Sequence, residues 1–126
     1  MTTDDPLYHI TSLDEARAAA GSGTYTPEAF GRDGFVHCSY RHQVVATANR
    51  IFAGRADLVL LEIDRARLTC PVVEENLEGG AELFPHVYGP LPMAAVVRVL
   101  AFPCEVSGWF AEPAALGAPE VHRAAR

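Results

Sequence analysis

Three histidines with apolar or aromatic neighbours stand out in this sequence. His9 lies in YHIT, His37 in GFVHCS and His86 in FPHVYG. We expect each of them to be at least partly buried, and a buried imidazole must form hydrogen bonds or change its pKa. One such histidine is usually a satisfied core residue, but three of the five in the chain favour a shared pocket. The other two, His42 and His122, are predicted to be ordinary surface residues.

Other polar and aromatic side chains could join such a pocket. Glu82 lies four residues before His86 and could contact a ligand or transfer protons. Ser39 precedes a predicted helix and is a natural N-cap, although a helix N-terminus also suits a phosphate. Glu62 interrupts an apolar strand, so we expect it to face the sheet edge or to pair with an arginine. The aromatic side chains that could stack on a nicotinamide or a base are Tyr8, Tyr40, Phe84 and Tyr88.

These residues must be positioned by short strands and two helices. The sequence SLDE predicts a capping box for a helix that runs through Ala20, and the apolar spacing over residues 40–52 predicts a second helix. The nearly continuous apolar run at 58–63 is typical of a central strand that is covered on both faces. Strands are predicted over residues 7–11, 35–39, 57–64, 71–74 and 96–102.

This pattern predicts an α+β fold, with a compact mixed or antiparallel sheet flanked by two main helices, because two clear helices are too few crossovers for a doubly wound sheet. We predict one domain over residues 1–104 and a partly disordered C-terminal extension over 105–126.

Composition narrows the possible partners. A net charge of −6 argues against a general nucleic-acid binder, although the arginines between 41 and 55 could form one local basic pocket. The three cysteines form no CxxC pair. The first residues, MTTDDPLYHI, are acidic where a signal peptide is basic and contain no long apolar run, so we expect no export signal. We therefore predict a cytoplasmic protein with reduced thiols, no membrane partner, and a small-molecule or nucleotide ligand.

Common sequence motifs for nucleotides and metals are missing. The chain has no GxGxxG, GxxxxGK[ST] or HExxH pattern. Three imidazoles can hold a metal ion, but histidines so far apart in sequence carry no spacing signal for one. We therefore predict no resident metal.

Four segments carry a family resemblance: LYHIT, GFVHCS, ANRIFAGRADLVLLEID and ELFPHVYGPLP. In this order they resemble a bacterial family of unknown function, number 952 among such domains, from about Leu7 to Leu100. That family resembles the ADP-ribosyltransferases at fold level, and its order of features is similar to that of the RNA 2′-phosphotransferases, which use NAD. The resemblance implies an ADP-ribosyltransferase-like fold, with NAD as a substrate.

The resemblance also implies roles for individual residues. His9 would be the first-strand histidine and, with Ser39, would orient the nicotinamide ribose. His37, in the second motif, would bind or polarise the substrate. Glu82 or His86 would stabilise the oxocarbenium-like state as nicotinamide leaves, and Tyr88 would contact the cofactor. The dense arginine set of the RNA 2′-phosphotransferases is reduced here to Arg32, Arg41, Arg50 and Arg55.

Three functions therefore stay open at this point. The first is an NAD-utilising ADP-ribosyltransferase-like enzyme, and the second is a non-catalytic domain that binds a nucleotide or phosphorylated metabolite. The third is a metal-dependent hydrolase that uses His9, His37 and His86. The enzyme hypothesis requires that these histidines open onto the same cleft.

Overall fold

The computed structural model describes residues 5–77 and 80–117. The helices of this part are α1 (Leu13–Ser22), α2 (Phe30–Asp33), α3 (Arg41–Ile51) and α4 (Ala114–Gly117). Its strands are β1 (Leu7–Ser12), β2 (Thr24–Tyr25), β3 (Val36–His37), β4 (Leu58–Ile63), β5 (Val72–Glu75), β6 (Phe84–Val87), β7 (Leu91–Pro92) and β8 (Val96–Ala101). The predicted α+β class with two main helices, α1 and α3, is confirmed.

All strand pairs in the described residues are antiparallel, and they form three small sheets. The strand orders are β1-β4-β8, β2-β7 and β3-β6-β5. Every residue of β4 is buried, as its apolar run predicts, because the strand is the centre of the first sheet. The single sheet expected from the sequence is wrong. The structure has three sheets, because the shorter strands β2 and β7 pair with each other and β3, β5 and β6 form a group of their own.

Two links bring β1, β3 and β6 together. Tyr8 and Ser39 exchange backbone hydrogen bonds, each 2.8 Å long, so the segment after β3 lies beside the start of β1. His37 and His86 are directly opposite each other in the β3–β6 register. Histidines from two sheets are therefore placed close together by backbone pairing.

The helix ends confirm one capping prediction and correct another. Ser12 caps α1, because its hydroxyl accepts a hydrogen bond from the Glu15 N–H at 3.1 Å. Ser39 does not cap α3, which begins one residue later than expected. Tyr40 occupies the N-cap position there, and its N–H donates to the side-chain oxygen of Gln43 at 2.9 Å. The backbone of Ser39 is instead committed to Tyr8.

The predicted domain boundary at residue 104 also needs correction. Phe110 and Leu116 are buried in the same hydrophobic cluster as Tyr8, Leu60 and Phe102. The chain up to α4 therefore belongs to the core of the domain, since an unpacked extension would leave this cluster open to water. Residues 118–126, and with them His122, lie outside the described residues.

Gly89 gives a test of packing in the turn after β6. A Cβ at this position would overlap with Sγ and Cβ of Cys70. We expect Gly89→Ala to lower the free energy of unfolding by about 1–3 kcal/mol, because overpacking forces neighbouring atoms apart. Urea denaturation measures the change, with Gly31→Ala as the control, since nothing lies within 4 Å of a Cβ there. Equal stabilities of the two variants would show that Cys70 yields without cost.

Candidate functional site

A cavity of about 460 Å³ lies where β1, β3 and β6 meet. It brings together His9, His37 and His86, as the sequence analysis required, and Ser39 also lines it. Its volume is in the range of ligand pockets, which is about 300–1,000 Å³. Its remaining lining includes aromatic, acidic and basic side chains: Tyr8, Glu15, Tyr25, Glu28, Arg32, Arg50, Phe52, Arg55 and Phe84.

His9 is held by partners on both ring nitrogens. Its Nδ1 lies 2.6 Å from the carbonyl oxygen of His37 and must donate to it, since a carbonyl only accepts. Nε2 of the neutral ring then accepts from the Tyr25 hydroxyl at 2.9 Å. Burial lowers the pKa of His9 to about 4, even though the hydrogen bond to the His37 carbonyl raises it. His9 is therefore a neutral imidazole of defined tautomer near pH 7.

Behind His9 a series of close polar contacts leads to a carboxylate. The Tyr25 hydroxyl lies 2.9 Å from Oγ1 of Thr11, and Thr11 donates to Oε1 of Glu15 at 2.6 Å. Desolvation raises the pKa of Tyr25, so its hydroxyl keeps its proton at neutral pH. This network fixes one wall of the cavity between β1, α1 and β2.

His37 and His86 are each bound to a carboxylate. Nε2 of His37 lies 2.9 Å from Oδ2 of Asp33, and Nδ1 of His86 lies 2.8 Å from Oε1 of Glu75. The two imidazole centroids are 5.1 Å apart in an edge-on arrangement. Hydrogen bonds from Arg32 and then from His37 hold the pKa of Asp33 below its ordinary value, so Asp33 stays ionised. A carboxylate–imidazole pair of this kind can orient a general acid or base.

The backbone of β1 offers a further pair of polar groups. Tyr8 bonds to Ser39 on the side away from β4, and antiparallel alternation turns the N–H and C=O of Ile10 to the same side. Within the described chain these two groups have no hydrogen-bond partner, and Ile10 lines the cavity. The open strand edge therefore presents one donor and one acceptor to a ligand.

Two predicted site residues lie elsewhere. Glu82 does not line the cavity: its carboxylate accepts a hydrogen bond from Gln43 at 3.0 Å and lies 3.5 Å from His42. Tyr88 also lies outside, where its hydroxyl donates to Glu75 at 2.6 Å. Of the two residues considered for the third motif, His86 therefore reaches the cavity and Glu82 does not.

The carboxylates and hydroxyls that orient the histidines were not predicted from the sequence. Asp33 lies four residues before His37 in a glycine-flanked turn, a short-range signal that could have been noticed. Glu75 and Tyr25 reach their histidines only through strand pairing and helix packing, which no local pattern reveals. Among the predicted arginines, Arg32, Arg50 and Arg55 line the cavity, whereas Arg41 pairs with Glu112.

The described residues give no support to a metal centre. They contain no group of three or more histidine, cysteine, aspartate and glutamate side chains that could hold a metal ion. Both nitrogens of His9 already have protein partners. Over the same residues, no helix has the length and apolar character needed to cross a bilayer.

Fold and site together define a small antiparallel α+β protein with a histidine-lined cavity. The chain belongs to the family described as "Protein of unknown function (DUF952)", whose model matches residues 10–99.

The same fold occurs in protein CC0527 from Caulobacter crescentus. Its crystal structure is similar to this chain with 33% identity and a TM-score of 0.75, covering 84% of this chain and 93% of that one. Its solution NMR structure gives 34% identity and a TM-score of 0.73, with 86% and 91% covered. No curated protein matches the chain significantly.

Proposed function

We propose that the protein is an NAD-utilising, ADP-ribosyltransferase-like enzyme whose substrate binds in the histidine-lined cavity. The observation that carries this proposal is the convergence of His9, His37 and His86 on one cavity. Their order along the chain is also that of the motifs in the resemblance stated above. Each ring is oriented by a protein partner, as expected of residues that must meet a substrate in a defined geometry.

The open edge of β1 fits the nicotinamide end of NAD. A carboxamide has one acceptor oxygen and an NH₂ donor, which match the free N–H and C=O of Ile10. The ribose next to it would meet the Tyr25 hydroxyl, which His9 holds in place. Arg32, Arg50 and Arg55 line the cavity and would contact the diphosphate, Arg32 and Arg55 from their ion pairs with Asp33 and Asp57.

The carboxamide contact gives a test on the ligand side. We expect nicotinic acid adenine dinucleotide to bind at least about tenfold more weakly than NAD, because its carboxylate faces the Ile10 carbonyl and leaves that acceptor unpaired. Calorimetric titration of both ligands measures the ratio, and nicotinamide release from NAD is followed by chromatography. Equal affinities would contradict the Ile10 contact, and absence of both NAD binding and nicotinamide release would overturn the proposed function.

A non-catalytic nucleotide-binding domain is the second candidate. It is favoured by the position of Glu82, because the third motif then brings no carboxylate into the cavity. Binding of ADP-ribose and NAD without any consumption of NAD would identify this function.

A further inference from the structure

Glu75 and Tyr88 form a hydrogen-bonded support for His86. The side chain of His86 is 3% exposed, and its Nδ1 lies 2.8 Å from Oε1 of Glu75. The same oxygen accepts a hydrogen bond from Tyr88 at 2.6 Å. These bonds, Tyr88 first and His86 second, hold the pKa of Glu75 below its ordinary value, so the carboxylate is ionised and can only accept.

This support decides where the proton of His86 lies. Because ionised Glu75 cannot donate, the proton of the neutral ring is on Nδ1 and the lone pair is on Nε2. In the described chain, every side-chain nitrogen or oxygen shielded from solvent has a hydrogen-bond partner. Nε2 has none there, so it keeps some exposure, which we assign to the cavity that His86 lines.

Aromatic stacking also fixes the orientation of the His86 ring. Phe35 stacks on it with a centroid distance of 4.1 Å and an interplanar angle of 17°. The charged or titratable groups around it are Glu75 from β5, Tyr88 after β6, and His37 from β3 with Asp33 behind it. A buried imidazole with one fixed nitrogen and one nitrogen open to a ligand cavity has the geometry of a general base.

We propose that His86 takes the proton of the acceptor during ADP-ribosyl transfer, with Glu75 as its positioning residue, and that the acceptor is a hydroxyl group, either of water or of an alcohol. This inference rests on the proposed function and names the acceptor class for that site. A neutral hydroxyl must lose its proton as it attacks, which is the task that an unprotonated Nε2 performs.

The step balances as follows. The acceptor oxygen forms a bond to C1′ of the nicotinamide ribose while the C1′–N bond breaks. The electron pair of that bond goes to the ring nitrogen, which leaves as neutral nicotinamide. The acceptor proton goes to Nε2 of His86, and the resulting imidazolium, paired with Glu75, releases a proton to solvent before the next turnover.

The first experiment compares His86→Gln with His42→Gln, a matched change at a half-exposed histidine outside the cavity. We expect His86→Gln to slow nicotinamide release by about 10²–10⁴-fold with unchanged NAD affinity, because general-base catalysis contributes about this factor. Mass spectrometry of reactions with and without methanol separates the acceptors, since water yields ADP-ribose and the alcohol yields its methyl derivative.

The second experiment tests the positioning role without relying on activity. Long-range ¹H–¹⁵N spectra should show the proton of His86 on Nδ1 in the wild type and a mixture of tautomers in Glu75→Gln. If the wild type consumes NAD, two results would each show that the inference is wrong: His86→Gln is as fast as the wild type, or the His86 proton is on Nε2. In both cases the proposed function stands. If the wild type neither binds nor consumes NAD, both fail.

Discussion

Replacing Arg98 by alanine is expected to cost about 3–5 kcal/mol of unfolding free energy, because it removes a guanidinium that is hydrogen-bonded to the buried carboxylate of Glu62. The guanidinium of Arg98 makes two hydrogen bonds to Glu62, at 2.6 and 2.9 Å, and Tyr8 donates a third at 2.7 Å. The side chain of Glu62 is only 5% exposed, so the carboxylate depends on these protein hydrogen bonds in place of water. Chemical denaturation of the wild type and Arg98→Ala measures the difference.

Two further variants separate the effect of burial on stability from the effect of the ion pair itself. Arg55→Ala breaks an equally short bidentate pair with Asp57 on the surface and should cost less than about 1 kcal/mol. Replacing both partners, as Glu62→Leu with Arg98→Met, should recover part of the loss, since apolar residues of similar size carry no desolvation penalty, whereas the buried Tyr8 hydroxyl loses its acceptor. An Arg98→Ala protein no less stable than Arg55→Ala would show that Glu62 needs no charge partner.

The second large effect is the acid sensitivity that His9 confers on the fold. Above pH 6.5 His9 is neutral in both the folded and the unfolded state, so it contributes no pH dependence. Burial lowers its pKa to about 4 in the folded protein. Between these values the unfolded chain binds a proton that the folded protein does not, so stability falls as the pH drops. The loss reaches about 3 kcal/mol near pH 4, because each pKa unit corresponds to about 1.4 kcal/mol.

Unfolding curves at several pH values test this expectation. His9→Gln should be less stable than the wild type near pH 7, because it loses hydrogen bonds to Tyr25 and His37. The difference in unfolding free energy between the two proteins should shrink by about 3 kcal/mol between pH 6.5 and pH 4, since only the wild type contains the buried imidazole with a lowered pKa. His42→Gln, at an exposed histidine, should show no such convergence. A constant gap between the wild type and His9→Gln would mean that the folded protein accommodates the charged ring.

Much of the local structure could be predicted from sequence because its causes lie within a few residues. Ser12 caps α1 through the N–H of Glu15, which lies three residues later. The apolar run of β4 indicates a buried central strand, and its glutamate had to pair with an arginine or leave the core. The wrong N-cap at Ser39 shows the limit of this reasoning, since its backbone is taken by a strand in another part of the chain.

The same distinction between local sequence and tertiary structure applies to the histidines. Their types and apolar neighbours predicted a shared pocket, but only the pairing of β3 with β6 and the contact of Ser39 with Tyr8 place them on one cavity. Strand register between distant segments also places His86 on the cavity, whereas Glu82 lies in the bend before β6 and is bonded to Gln43. The partners that set the tautomers, above all Glu75 and Tyr25, come from elements whose packing has no local sequence signal. The sequence thus determined which side chains could do chemistry, and the tertiary structure decided which of their nitrogens remain open to a ligand.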